Sequence, residues 1–174
     1  MEQAMPIVSS TDIANKPEVE QLLAAARAVI AEVPYCWVVT CAQDGGAHAR
    51  VVKAFPNENR EPWWTRWFLT RRLARKTTEL RNTGRVTLAF QHHSGIAYVS
   101  LAGPAELIET RSAVESRLEQ VDDPTGALTG QLIAIRVDAD QIEVHIRGVT
   151  AEPWGHGRTL LARSGDGVWR LLPS

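Results

Sequence analysis

The residues best suited to chemistry lie in one stretch, 66–80, which reads RWFLTRRLARKTTEL. Thr70 is followed closely by Arg71, Arg72, Arg75 and Lys76. Residues 63–70 are rich in aromatic and β-branched side chains, which suits a strand. Beyond them Leu73 and Leu80, seven residues apart, mark one side of a short helix. At that junction Thr70 is placed as an N-cap, its hydroxyl bonding the first free amides. A helix N-terminus favours acidic side chains, yet this one opens on four cations. Arg72, Arg75 and Lys76 share a face at i, i+3 and i+4. Free amides, a hydroxyl and converging cations describe a site for an anion, most simply a phosphate. The competing reading is a solvated basic face on which Glu79 pairs back to Arg75 or Arg72, an exposed pair worth about 0–1 kcal/mol.

The elements that must position this stretch follow from the rest of the chain. Residues 1–15 read as a loose arm. A helix is expected over 17–33, with Pro17 in its first turn beside Glu18 and Glu20. Leu22, Ala26, Val29, Ile30 and Val33 form its apolar stripe, which would cover one end of a sheet or a partner. From Tyr35 onward the pattern turns to strands. CWVVTCA and AHARVVKAF flank Asp44-Gly45, a strong hairpin signal, with His48, Arg50, Val52 and Ala54 on one face. Residues 56–62 form a turn-rich loop. The tryptophan strand follows, with Trp63 and Trp67 expected on one face and Trp64 on the other.

Gly84 fits the left-handed C′ position of the basic helix. RVTLAFQ and the long IAYVSLAGPAELIE are strands, the second interrupted by a bulge or bend at Gly103-Pro104. Residues 111–121 suit a short helix with Val114 and Leu118 inward. QLIAIRV and QIEVHIR are expected to pair around 138–140, and RTLLAR and VWRLL to close the chain as a hairpin. About eight strands at short spacing with two or three helices point to an antiparallel barrel.

Composition is consistent with one domain over 1–174 and a substantial core. The apolar fraction is 44%, charged residues make up 22%, and the net charge is −1. This balance argues against a nucleic-acid partner. No run reaches the roughly 18 apolar residues of a membrane span, and the start is unlike a secretory signal. Cys36 and Cys41 fall on opposite faces of one strand and cannot pair, so a reducing cytoplasmic setting is expected.

Familiar catalytic motifs are missing: no GxSxG, HExxH, Walker loop, GxGxxG or CxxC occurs. No metal set is expected from two cysteines or from the adjacent His92 and His93. His48, His145 and His156 read as strand or surface residues, and Asp122-Asp123 before Pro124 as a turn. Phosphate binding without a nucleophile or acid/base pair fits a protein whose chemistry resides in a phosphorylated cofactor. Trp154, in a Gly/Pro loop away from any apolar run, suits contact with a planar ligand or a partner subunit as well as packing.

The order ARVV (49–52), WFLT (67–70), RK (75–76), LAF (88–90) and YVSLAGPAE (98–106) resembles the pyridoxamine 5′-phosphate oxidase-like flavoproteins, which include general stress protein-like members. The resemblance implies a mainly β fold, an antiparallel Greek-key split β-barrel with flanking helices. It also implies a homodimer holding FMN at the subunit interface. Thr70, Arg75 and Lys76 match the family's phosphate ligands, leaving Arg71 and Arg72 as solvated neighbours. Arg50, Val51, Val52 and Lys53 match the edge beside the flavin ring and ribityl chain, and Leu69 the residue before the threonine. Tyr98 stands where the oxidases carry a glutamine. Trp154 and Arg158 match residues approaching from the second subunit. Between them the chain has only Gly155-His156-Gly157, so the vitamin pocket is reduced while the cofactor pocket is kept. The resemblance implies an FMN-dependent oxidoreductase acting on a small molecule, with catalytic residues unassigned. There are two alternatives: an F420-dependent reductase on the same fold, or a flavin- or haem-binding stress-response module without turnover.

Overall fold

Residues 16–57, 60–94, 97–118, 129–150 and 159–173 are described in the computed structural model. The first helix, α1 (Lys16–Glu32), carries Glu18 in its first turn. It buries Val19, Leu22, Ala26 and Ile30, a helical spacing that turns one stripe toward the sheet. The hairpin of β1 (Tyr35–Cys41) and β2 (Ala47–Lys53) forms as expected around Asp44-Gly45. Gly45 takes φ 84° in its turn, and Ala42 N donates to Gly46 O at 2.8 Å. The register sets Thr40 opposite His48 and Val38 opposite Arg50. Cys36 is buried and Cys41 exposed, both as free thiols, which agrees with opposite faces of one strand.

β3 (Thr65–Arg71) begins two residues later than the sequence pattern suggested. Trp63 and Trp64 therefore precede the strand and have no alternating faces. They meet edge to face at 5.7 Å, and Trp64 meets Trp169 at 5.4 Å. The basic helix, α2 (Arg75–Thr83), ends at Gly84, which has φ 65° and returns its amide to Leu80 O. Its N-cap is Ala74, with no side-chain cap, so Thr70 does not cap it. Residues 71–74 intervene as a turn, closed by Ala74 N to Arg71 O at 3.0 Å. That turn throws Leu73 outward, 92% exposed, while Leu80 is fully buried. The two leucines do not share a face.

β4 (Arg85–Gln91) pairs β1 on one side and β5 (Ala97–Ile108) on the other. After α3 (Arg111–Leu118) and a 3₁₀ turn (Thr129–Gln131) come β6 (Leu132–Asp138), β7 (Gln141–Ile146), β8 (Thr159–Arg163) and β9 (Trp169–Leu172). All pairings are antiparallel, and β5 is where the sheet divides. Residues 97–102 pair with β7, which continues to β8 and β9. Residues 105–108 pair with β6, which also pairs β3 along its whole length. A bridge between Phe55 and Trp67 brings the end of β2 back to β3 and closes the barrel.

The expected pairing of 131–137 with 141–147 is therefore corrected: β6 and β7 each take a different half of β5. The cause lies at Gly103, where a Cβ would meet Asp138 O at 2.4 Å and Ala139 Cα at 2.8 Å. The missing side chain lets the 138–140 connection cross directly over β5, with Asp140 N donating to Ala102 O at 3.0 Å. The strand bends there without breaking.

Phe68, Phe90, Leu80, Leu101 and Ile135 are among the fully buried side chains filling the interior. α3 buries Val114 and covers β6. Its Arg117 is also buried and lies 3.5 Å over the ring of Trp67. Trp67 Nε1 donates to Glu61 at 3.0 Å, and Glu61 accepts from Arg136 at 2.7 Å. Among the described residues, no helix is long and apolar enough to cross a membrane.

Candidate cofactor site

An open cleft of about 420 Å³ lies where the end of β2, the end of β3 and the start of α2 converge. Val51, Val52, Lys53, Leu69, Thr70 and Lys76 all line it. Six of the residues singled out in the sequence are thus brought together from three elements. β2 supplies three consecutive residues and, among the described residues, stands at the end of the strand order beyond β1.

Thr70 is 3% exposed, and its hydroxyl has no hydrogen-bond partner. A buried hydroxyl without a partner costs about 1–3 kcal/mol, and such a group invites a ligand acceptor. Lys76 stands in the same wall. Burial, and then the positive charge of Arg50, hold its ammonium below the ordinary lysine range. Two cations that repel each other beside an unpartnered donor are what an anion would stabilise.

Arg50 and Arg75 do not line the cleft. They gather instead on Glu79, a carboxylate 6% exposed on the inner side of α2. Arg75 Nε lies 3.5 Å from its Oε1 and Arg50 Nη2 3.6 Å from its Oε2. His48 Nδ1 lies 2.7 Å from Oε1, and Thr40 donates to Oε2 at 2.5 Å. Burial pushes the Glu79 carboxyl up, but hydrogen bonds from Thr40 and His48 and the charges of His48 and Arg50 outweigh it. The carboxyl is held below its usual range. Arg50 Nη2 is buried and makes no hydrogen bond beyond this ion pair. Arg72 belongs elsewhere: it pairs with Glu109, as does Arg81.

In the sequence Glu79 reads as a surface pairing partner and His48 as a strand or surface residue, and Thr40 is not singled out. The signal for them was the hairpin register, which sets Thr40 opposite His48 on the face that also carries Arg50. Tyr98 sits apart from the cleft, in a shallow depression with Trp37, Gln91 and His145. Trp154, Arg158 and His156 lie outside the described residues. No group of three or more metal-ligating side chains occurs among the described residues.

The divided sheet, the closed barrel and the cleft at its edge define an antiparallel split-barrel protein. The chain belongs to the pyridoxamine 5′-phosphate oxidase family, whose model matches residues 22–146. No curated protein matches the sequence. Among solved structures, it is similar to a pyridoxamine 5′-phosphate oxidase-related, FMN binding protein from Nostoc punctiforme PCC 73102. That match has TM-score 0.61 and 13% identity, and covers 97% of this chain and 99% of the other. PhzG from Burkholderia lata 383, in complex with tetrahydrophenazine-1-carboxylic acid, has TM-score 0.63 and 16% identity over 97% and 98%. General Stress Protein 26 from Bacillus anthracis has TM-score 0.52 and 16% identity over 72% and 92%. At these identities the likeness is one of fold.

Proposed function

We propose that the chain binds FMN in the cleft between β2, β3 and α2 and acts, as a homodimer, as an oxidoreductase on a small molecule. The observation that carries this reading is the buried, unpartnered Thr70 hydroxyl beside half-buried Lys76. Thr70 would donate to the phosphate, and Lys76 and Arg75 would neutralise it. Val51, Val52 and Leu69 would pack along the cofactor's body. Lys53 and Arg50 would set positive charge along the same edge, where arriving electrons are stabilised. Tyr98, Trp154 and Arg158 would come from the second subunit, which accounts for Tyr98 standing apart from the cleft of its own chain. Bound FMN supplies electron transfer; the protein holds, orients and shields it.

The description of the Nostoc neighbour as FMN binding favours FMN over F420. The PhzG complex supports a small-molecule substrate. The short Gly155-His156-Gly157 segment argues against the vitamin phosphate as that substrate.

Titration of the purified protein with FMN tests the reading. Hydrogen bonds to a charged group are worth about 1.5–3 kcal/mol each. Arg75→Ala with Lys76→Ala should therefore cost at least tenfold in affinity, well beyond an exposed ion pair. Unchanged affinity in the double variant, or failure of the parent protein to take up FMN, would remove the assignment.

A further inference from the structure

A second pocket, of about 400 Å³, opens between α1, the segment after β2 and the start of β3. It shares Lys53 and Phe55 with the cofactor cleft, so the two are neighbours across one wall. Arg27, Lys53 and Arg66 contribute three cations to its lining, Phe55 and Trp63 two aromatic walls, and no acidic residue takes part.

Arg66 is the unusual member. It alternates along β3 with Phe68 and Thr70, so its side chain follows the inward face. It is only 8% exposed, and its Nε is buried with no hydrogen-bond partner. No described carboxylate forms an ion pair with it. Cys36, an ionisable group that interacts with it, offers no counter-charge, because burial pushes its thiol up to about 12 against the lowering effect of Arg66. Burial in turn lowers Arg66 itself below the ordinary arginine range. A buried guanidinium N–H with no acceptor, in a group with no counter-ion, is expensive to keep. Among the described residues, other arginines drawn toward the interior keep a partner even where one nitrogen is left unbonded, as in Arg50 and Arg163: Arg117 lies over Trp67 and bonds Ala113 O, Arg163 bonds Ala139 O and Asp138, and Arg50 pairs with Glu79.

We infer that this pocket binds the carboxylate of a small organic acid, with Arg66 as its principal ligand and Phe55 and Trp63 flanking the acid's apolar body. The planar guanidinium matches a carboxylate through two parallel hydrogen bonds, and the volume suits a compact ligand. The position of α1 selects against a phosphate dianion. Arg27, Ile30 and Ala31 come from the C-terminal half of Lys16–Glu32, where the helix dipole presents its negative end. A monoanion held by a buried guanidinium tolerates that field better than a dianion does. If the neighbouring cleft holds FMN, as proposed above, the acid and the cofactor lie on either side of the wall formed by Lys53 and Phe55. Binding of the acid itself does not depend on that reading.

The test is calorimetric titration of the full-length chain with benzoate, and separately with inorganic phosphate, before and after saturation with FMN. Benzoate should bind saturably at one site per chain. Arg66→Met should weaken it at least tenfold, leave FMN affinity within about twofold, and hold or raise the melting temperature. Arg66→Lys should retain part of the binding. A merely structural arginine behaves oppositely, so a lower melting temperature in Arg66→Met with unchanged benzoate binding overturns the proposal. It is also overturned if benzoate does not bind at millimolar concentration, or if phosphate binds there in its place. Loss of FMN binding with benzoate binding intact removes only the cofactor reading; the reverse result removes only this one.

Discussion

His48 Nδ1 lies 2.7 Å from Oε1 of Glu79, and that contact ties the outermost barrel strand to the helix carrying the cations. Thr40 and Arg50 complete the same cluster, and Arg50 Nη1 also approaches Thr40 Oγ1 at 3.4 Å. One carboxylate thus gathers side chains from β1, β2 and α2 behind the cleft wall. Two residues matched to the cofactor, Arg50 and Arg75, are held by it instead of reaching the cleft themselves.

Replacing Glu79 should therefore act first on the fold. Glu79→Ala leaves Arg50, Arg75 and His48 facing one another without their anion. It should lower unfolding free energy by about 1–3 kcal/mol, the cost of stripping hydrogen-bonded polar groups of a buried partner. The partners are partly solvated, which keeps the figure below that of a fully buried pair. Urea denaturation measures it. Glu79→Gln keeps one acceptor and should lose less.

The same carboxylate gives a pH dependence with a defined sign. Its folded value lies below the unfolded one, which is about 4.3 for a glutamate. The stability it contributes is complete above that unfolded value. It is lost as pH falls through the lower folded value. Melting temperature against pH should fall less steeply below about pH 4 in Glu79→Gln than in the parent. Parallel curves would show that other carboxylates govern acid unfolding.

What could be read from the chain was local. Asp44-Gly45 marks its hairpin, Gly84 its helix stop and the 3.6-residue stripe of Leu22, Ala26 and Ile30 its helix, because each depends on neighbours a few residues away. The cations drew attention to residues 66–80, but the N-cap part given to Thr70 was misread. Its hydroxyl stays free because a four-residue turn separates it from the helix. Pairing of β6 and β7 was misassigned because it depends on a bend in β5, at Gly103, far back in the chain. The buried state of Arg66 and Glu79 was equally hidden, since charge in a sequence reads as surface until the strands are closed around it.

That bend makes a direct prediction. In Gly103→Ala the new methyl would meet two backbone atoms of the crossing segment, at 2.4 and 2.8 Å, which cannot swing aside as a side chain would. Overpacking of this kind costs about 1–3 kcal/mol. Chemical denaturation should show that loss, with both sheets affected because β5 serves both.

The two thiols should separate cleanly. Cys36 is buried and its thiol is pushed up to about 12, chiefly by burial, so little reactive thiolate forms near neutrality. Cys41 is exposed. An aromatic disulfide reagent should modify one equivalent in the folded protein and the second only in denaturant. Rapid labelling of both in native buffer would mean that the barrel opens beside Cys36 far more readily than its packing indicates.

Thr70→Val gives the sharpest separation of ligand from fold. Valine keeps the side chain's shape and removes a hydroxyl that is buried and unpartnered. Without cofactor, its stability should therefore be unchanged or raised, since an unsatisfied buried group costs about 1–3 kcal/mol. With FMN the sign reverses. One hydrogen bond to a charged phosphate is lost, and affinity should fall about tenfold to a hundredfold. Thermal melts with and without FMN, beside a fluorescence titration, measure both quantities on one preparation. A variant that loses stability without cofactor, yet binds FMN as well as the parent, would make the hydroxyl a structural group and move the phosphate away from Thr70.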